Sequence, residues 1–259
     1  MKILAVGDLV GENGVRKLKE ILPKLRQEAK IDFVIVNAEN SAGGMGITTA
    51  IFNDLKRLNV NAITMGNHTW AKKDIFSFID DELMNRPANY SRGVVGKGYH
   101  IYKQNEKNIC VVNLIGRTDM GVQSDNPFSK MEDILNEVKG KADIIIVDFH
   151  AEATSEKLAM AYFLDGKVSA VFGTHTHVQT ADEVILPKGT GNITDLGMTG
   201  PQISILGREN NAIIKKFITG MPQKFEIANG KGQFCGCIFD IDEQSGLCTD
   251  IERIFIREK

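Results

Sequence analysis

Short apolar segments that alternate with amphipathic segments are the feature that most constrains the fold of this chain. The apolar segments have the length and composition of buried β-strands, and they lie at residues 2–7, 32–37, 61–65, 143–149 and 168–172. Between them, apolar side chains recur at helical spacing, which predicts helices at residues 14–30, 48–58 and 155–164. Strand–helix–strand order favours a parallel sheet with right-handed crossovers, and therefore an α/β protein.

The middle and the end of the chain follow this pattern less regularly. A β-hairpin is expected over residues 97–115, and apolar spacing predicts further helices at residues 73–82, 128–139 and near 207–218. The last third combines glycine-rich loops with predicted strands; the loops lie at 189–200 and the strands at 224–227, 233–241 and 248–256. No linker, repeat or low-complexity segment interrupts the sequence, so we expect one domain over residues 1–259.

Composition excludes several classes of protein. No segment stays apolar for the roughly 20 residues that a membrane span needs, and the first residues read as a strand instead of a signal peptide. We therefore expect a cytoplasmic protein with reduced thiols. The net charge of −2 gives no bulk attraction to nucleic acid, although a local basic groove stays possible. The four cysteines lack zinc-finger spacing, and Cys110 lies in an apolar run typical of a core.

Polar residues with metal-binding or acid–base side chains follow five of the predicted strands. The set comprises Asp8, Glu39, Asn40, Asn67, His68, His150, His175 and His177. Because parallel strands deliver their carboxyl ends to one edge of a sheet, we expect these side chains to lie close together. Gly66, before Asn67, allows the backbone to turn sharply and to approach a ligand closely. The fifth histidine, His100, lies within the predicted hairpin, and we interpret it as a structural or surface residue.

The side chains of this set match the ligands of transition metals. They offer carboxylate and amide oxygens and imidazole nitrogens, whereas calcium and magnesium cages use oxygen alone. They outnumber the ligands that one ion needs, which favours two ions that share a carboxylate and form a clamp for in-line attack at phosphorus. Taken alone, Asp8 also fits a helix cap, Glu39 and Asn40 fit turn residues, and His150 fits a buried hydrogen-bonded histidine. The recurrence at strand ends favours the metal site.

These strand ends resemble the signature blocks of the calcineurin-like metallophosphoesterases. That superfamily carries, in order, Asp-x-His, Gly-Asp, Gly-Asn-His, a single His and Gly-His-x-His. In this chain Asp8, Gly66-Asn67-His68, His150 and Gly173-Thr174-His175-Thr176-His177 occupy the corresponding places.

Departures from those blocks narrow the resemblance. Asp8-Leu9-Val10 lacks the first-block histidine, Asn37-Ala38-Glu39-Asn40 replaces Gly-Asp, and Thr69 stands where an acid is usual. Together with Asp148–Glu152 and Asp195–Gly200, these departures resemble the YmdB-like bacterial branch, the 2′,3′-cyclic-nucleotide 2′-phosphodiesterases. The resemblance covers essentially the whole chain.

The resemblance implies a four-layer αββα sandwich of two mixed β-sheets flanked by helices, with two iron and/or manganese ions at the sheet edge. The first ion would be held by Asp8, Glu39, Asn40 and His177. The second would be held by Glu39, Asn67, His150 and His175, with Glu39 shared. A metal-bridging hydroxide would open the cyclic ester, and His68 would act as the general acid that protonates the departing ribose oxygen.

Other functions remain open at the level of sequence. A broader phosphodiesterase or phosphatase on other nucleotides would share the same site. A regulatory, RNA-associated protein with incidental turnover is a second alternative, and a scaffold that uses the loop 117–126 is a third. The expected partners are a small-molecule nucleotide, RNA ends as a further candidate and a second copy of the chain. Glycine content alone suggests residues 41–47 and 195–201 as the segments that contact the nucleotide.

Overall fold

The computed structural model describes residues 1–259 and contains fourteen strands and five α-helices. The strands are β1 (Lys2–Val6), β2 (Asp8–Leu9), β3 (Phe33–Asn37), β4 (Ala62–Thr64), β5 (Met84–Asn85), β6 (Tyr99–Gln104), β7 (Lys107–Ile115), β8 (Ile144–His150), β9 (Ala170–Thr174), β10 (Val184–Ile185), β11 (Gly191–Ile193), β12 (Met198–Pro201), β13 (Gly232–Ile241) and β14 (Cys248–Arg257). The helices are α1 (Gly11–Glu28), α2 (Thr49–Arg57), α3 (Pro127–Val138), α4 (Thr154–Leu164) and α5 (Asn210–Thr219).

Two mixed sheets carry these strands. The first runs in the order β2-β12-β13-β1-β3-β4-β5, with β14 paired to β13. Within it β1, β3, β4 and β5 are parallel, while β13 is antiparallel to β1. The second sheet runs in the order β10-β11-β9-β8-β7-β6, and β7, β8, β9 and β11 are parallel. The parallel pairing of the predicted strands is confirmed, as is the hairpin formed by β6 and β7.

The sheets pack face to face, and helices cover their outer faces. A cluster of 17 buried apolar residues fills the space between the sheets, with Ile35 from the first sheet and Ile146 from the second. Leu18 of α1 belongs to the cluster on the outer face of the first sheet, and Ile134 of α3 belongs to the cluster on the outer face of the second. The predicted αββα sandwich is therefore confirmed.

Local sequence determines where these helices begin and which face they bury. Thr48 has extended backbone angles, and its side-chain oxygen accepts a hydrogen bond from the backbone N–H of Ile51, so it caps α2. Phe52 and Leu55 lie three residues apart on the buried face of that helix. Cys110 is buried in β7, and all four cysteines are free and buried.

The predicted helix at residues 73–82 is wrong. Only a short 3-10 turn forms, at Lys73–Ser77. Ile75 is buried, as the helical spacing suggests, but the turn ends at Phe78, whose backbone φ of −143° is not helical. Further on, Oδ1 of Asp81 accepts a hydrogen bond of 3.0 Å from the N–H of Leu83, and this local turn leads the chain into β5.

The glycine-rich region at 189–200 is more regular than expected. It contains β11 and most of β12, which extend the second and first sheets respectively. The predicted strand at 224–227 is wrong, because only an isolated bridge from Ile227 to Arg208 forms there. None of the five helices combines the length and apolar character that crossing a membrane requires.

Candidate metal centre

The carboxyl ends of strands from both sheets meet at one edge of the sandwich. Asp8 begins β2 directly after β1, and the segments after β3 and β4 come from the same sheet. His150 ends β8 in the second sheet, and the loop after β9 follows beside it. The structure brings together all eight residues singled out from the sequence, namely Asp8, Glu39, Asn40, Asn67, His68, His150, His175 and His177.

Four of these residues, Glu39, Asn67, His150 and His175, form what we term the inner cluster. Nε2 of His150 lies 3.0 Å from Oε1 of Glu39, 3.0 Å from Oδ1 of Asn67 and 3.1 Å from Nδ1 of His175. One ring nitrogen has at most one proton and cannot satisfy three acceptors at once. A cation among these four atoms would accept a lone pair from each of them, so the inner cluster fits a metal ion.

Asp8, Asn40 and His177 form what we term the outer cluster. Oδ1 of Asp8 is buried and has no hydrogen-bond partner. It lies 4.0 Å from Nε2 of His177, which in turn lies 3.3 Å from Oδ1 of Asn40. An unpartnered buried carboxylate oxygen is costly, and a cation between these groups would remove that cost. The outer cluster therefore also fits a metal ion.

Each of the three histidines in the two clusters has its second ring nitrogen beside an acceptor. Nδ1 of His150 lies 2.8 Å from Oγ1 of Thr174, whose hydroxyl donates to Asp148 at 2.7 Å. Nε2 of His175 lies 3.1 Å from Glu152, and Nδ1 of His177 lies 3.2 Å from the carbonyl oxygen of Leu206. Such contacts hold the proton on the outer nitrogen and leave the inward nitrogen free as a metal ligand. The three tautomers therefore match the proposed site.

The backbone around the clusters adopts conformations that ordinary packing does not require. His175 and His177 both have positive φ angles, 102° and 65°, which are unfavourable for residues with a side chain. A Cβ atom on Gly66 would collide with Nε2 of His150 and Oε2 of Glu39, so only glycine fits there. This agrees with the close approach expected of Gly66 from the sequence.

A buried ion pair anchors residues 175–177 after β9, which we term the histidine loop. Nζ of Lys157 lies 2.6 Å from Oδ2 of Asp195, and both side chains are buried. The same carboxylate oxygen accepts hydrogen bonds from the N–H and the hydroxyl of Thr176, at 3.2 and 2.8 Å. Thr176 lies between His175 and His177, so the Lys157–Asp195 ion pair anchors the histidine loop through Thr176.

Electrostatics couple the members of the inner cluster. Burial alone would raise the pKa of Glu39, but the charges and hydrogen bonds of His150 and His68 together outweigh burial and lower that pKa to about 2. In turn, although burial favours the neutral ring, Glu39, Asp8 and Asp148 together raise the pKa of His150 to about 9. Burial, aided by the neighbouring His150, lowers the pKa of His175 to about 3. A cation would therefore compete with a proton for Nε2 of His150.

His68 lies at the edge of the inner cluster, where it faces an open cleft. Its backbone N–H donates to Oε2 of Glu39 at 2.8 Å, and its Nε2 lies 3.3 Å from the amide nitrogen of Asn67. The amide donates to that ring nitrogen, so Nδ1 carries the proton of the neutral ring. Burial lowers the pKa of His68.

The cleft above the clusters has a volume of about 410 Å³, a size typical of small-molecule sites. Its lining combines Glu39, His68 and His175 with Arg208 and Phe225. Arg208 and Phe225 were not among the site residues expected from the sequence, because neither directly follows the end of a predicted strand.

Comparison with known proteins identifies the family. A family model described as "YmdB-like protein" matches residues 4–254. The chain belongs to the YmdB-like family. A related protein from Bacillus subtilis (strain 168) is called 2′,3′-cyclic-nucleotide 2′-phosphodiesterase. The two are 50% identical over 259 residues, which cover 100% of this chain and 98% of the relative.

Solved structures support the same assignment of the YmdB-like chain. The crystal structure of a Mycoplasma pneumoniae protein, described as a novel phosphatase, matches with a TM-score of 0.94 and 36% identity. The match covers 99% of this chain and 93% of that one. A 5′-nucleotidase precursor from Thermus thermophilus matches with a TM-score of 0.58 and 13% identity, over 99% of this chain and 54% of that one. At that identity the match shows a shared fold.

Proposed function

We propose that this protein is a metal-dependent phosphodiesterase that hydrolyses 2′,3′-cyclic nucleotides to 3′-nucleotides. The observation that carries the proposal is the convergence of three ligand atoms, from Glu39, Asn67 and His175, on Nε2 of His150 beside a cleft. The full-length similarity to a relative with this named activity supports the choice of substrate. The absence of a membrane-spanning helix is compatible with action in the cytoplasm, which we propose as its location.

Two ions fit the donor set better than one. In this proposal Asp8, Glu39, Asn40 and His177 hold the first ion, and Glu39, Asn67, His150 and His175 hold the second. Imidazole, carboxylate and amide ligands suit iron and manganese, which we propose as the metals. When bound, such ions supply charge neutralisation for the phosphoryl oxygens and activate water as a nucleophile.

In this proposal, side chains of the protein bind and orient the substrate and protonate its departing oxygen. Asn67 connects His150 of the inner cluster to His68, with its oxygen toward His150 and its amide nitrogen toward the ring of His68. In the proposed reaction the oxygen of a water molecule bonds to phosphorus as the water gives up one proton, and the bond from phosphorus to the 2′ oxygen breaks. His68 donates a proton to that departing oxygen, which leaves a free 2′ hydroxyl and a 3′-monophosphate, and the proton released by the water restores protonated His68 through solvent. An anionic phosphodiester beside the ring favours the protonated form that this step needs.

The test is hydrolysis of 2′,3′-cyclic AMP by manganese-loaded protein, with the product regiochemistry assigned by phosphorus NMR. We expect 3′-AMP from the wild type. His68→Ala should slow turnover by ~10²–10⁴-fold, the usual contribution of a general acid, with the manganese content unchanged. His100→Gln is the matched control, since that histidine contacts Asn85 outside the cleft. Full activity of His68→Ala would overturn the assigned role, and 2′-AMP as the product would overturn the proposed regiochemistry.

A broader phosphodiesterase or phosphatase is the second candidate, because the Mycoplasma pneumoniae relative of known structure is described as a phosphatase. RNA ends that carry a 2′,3′-cyclic phosphate present the same ring and extend the substrate class. A panel of 2′,3′-cyclic AMP, 3′,5′-cyclic AMP, 3′-AMP and an RNA oligonucleotide with a cyclic end separates these candidates. Turnover of none of them by metal-loaded protein would favour the regulatory interpretation.

A further inference from the structure

One segment of the chain supplies half of the residues that line the cleft, and we term it the wall. It runs from residue 205 to residue 225 and contains α5. The segments suggested by glycine content do not line the cleft. Residues 195–201 are all buried beneath the histidine loop, and residues 41–47 are not among the lining residues. We therefore expect the residues that recognise the substrate in the segment 205–225.

Arg208 is a cation in this wall without an acidic partner. Its guanidinium donates one hydrogen bond of 3.1 Å to the carbonyl oxygen of Gly44, and no carboxylate oxygen lies within 4.0 Å of it. A partly buried guanidinium with free N–H groups beside a metal cluster is suited to bind a phosphate oxygen.

Two aromatic side chains, Phe217 and Phe225, belong to the same wall as Arg208. Phe225 is half-buried, and Nζ of Lys216 lies 5.1 Å from the centre of its ring. Phe217 projects from α5 with 82% of its surface exposed, although a benzyl side chain gains free energy when it is covered. Aromatic faces that line a cleft are ready platforms on which a nucleobase stacks, whatever its hydrogen-bonding pattern.

We propose that the wall formed by residues 205–225 is the nucleotide subsite, in which Arg208 binds the phosphate and Phe217 and Phe225 hold the base. The proposal rests on the proposed cyclic-phosphodiesterase function and adds the residues that recognise the substrate. Lys216 keeps the ring of Phe225 in place through its cation–π contact. Because stacking tolerates any base, the subsite recognises a nucleoside without selecting strongly for its identity.

The experiment compares two substrates that differ only in the base. One is 2′,3′-cyclic AMP, and the other is methyl riboside 2′,3′-cyclic phosphate, in which a methoxy group replaces the base. Phe225→Ala and Phe217→Ala should each lower the ratio of kcat/KM between these substrates by about tenfold, mainly through KM. Arg208→Gln should lower kcat/KM for both substrates alike, because it acts on the shared phosphate.

Phe76→Ala is the matched control, since Phe76 is also exposed but stacks on Trp70 outside the cleft. It should leave both values of kcat/KM unchanged. An unchanged substrate ratio in both phenylalanine variants would overturn the proposal. Phe217 is so exposed that its replacement should not disturb folding, which keeps the test valid even if Phe225→Ala misfolds.

A binding measurement separates failure of the subsite from failure of the proposed reaction. Calorimetric titration of manganese-loaded protein with 3′-AMP and with ribose 3-phosphate needs no turnover. We expect 3′-AMP to bind more tightly, and Phe217→Ala to remove most of that difference. If the wild type hydrolyses neither substrate but shows this difference, the subsite stands and the reaction fails. Equal affinity for the two ligands would overturn the subsite.

Discussion

Among single residues, His150 is central to the candidate site, because its Nε2 lies in the middle of the inner cluster. Glu39, Asn67 and His175 all direct a lone-pair atom toward it within 3.1 Å. Without a cation this arrangement brings three acceptor atoms to one ring nitrogen, and with one it becomes an ordinary ligand set. The arrangement is therefore better explained by metal binding than by packing.

Glu39 is the residue whose loss should affect both ions. Glu39→Gln keeps the size of the side chain but removes the negative charge that two cations would share. We expect bound manganese, measured by plasma mass spectrometry after dialysis, to fall from about two ions per chain to at most one. Glu132→Gln, in an exposed acid of α3, is the control and should keep both ions. Normal metal content in Glu39→Gln would show that Glu39 is not shared.

At the scale of the element, the histidine loop after β9 depends on a buried ion pair. Lys157→Met would leave Asp195 buried and without its cation, which typically costs about 3–5 kcal/mol. We expect the free energy of unfolding of metal-free protein, measured by urea titration, to fall by that order. Manganese affinity should fall as well, since Thr176 between the two ligands loses its fixed anchor. Lys157→Arg should retain more of the free energy of unfolding and more of the manganese affinity. Unchanged stability of Lys157→Met would contradict the role of the ion pair in anchoring the histidine loop.

The sequence predicted elements best where apolar spacing and the buried surface agree. Strands β3, β8 and β9 lie within one or two residues of their predicted bounds, because they are buried on both faces and read as continuous apolar runs. The segment 73–82 has helical spacing, yet the side chain of Asp81 forms a turn that periodicity does not reveal. The strand β12 was not predicted either, since its pairing with β13 is set by distant residues.

The site residues were accessible to sequence reasoning for a topological reason. All eight follow strands whose carboxyl ends share one edge, so strand order alone brings them together. Thr174 was within reach too, because it lies opposite His150 in the register of β8 and β9. Arg208 was not, since its position depends on how a loop without regular structure folds back over Gly44.

At the scale of the whole molecule, the candidate centre joins the two sheets. Glu39 and Asn67 come from the first sheet, and His150 and His175 come from the second. Between the sheets below them lies the apolar core that sets their distance. A cation held from both sides would therefore couple metal binding to the stability of the sandwich.

Anomalous diffraction from crystals of the manganese-loaded protein, recorded at the manganese edge, would locate the bound ions themselves. We expect two peaks per chain about 3.5–4 Å apart. One peak should contact Asp8, Asn40 and His177, the other should contact Asn67, His150 and His175, and Glu39 should contact both. A single peak, or two peaks of which only one contacts Glu39, would contradict the shared dinuclear centre.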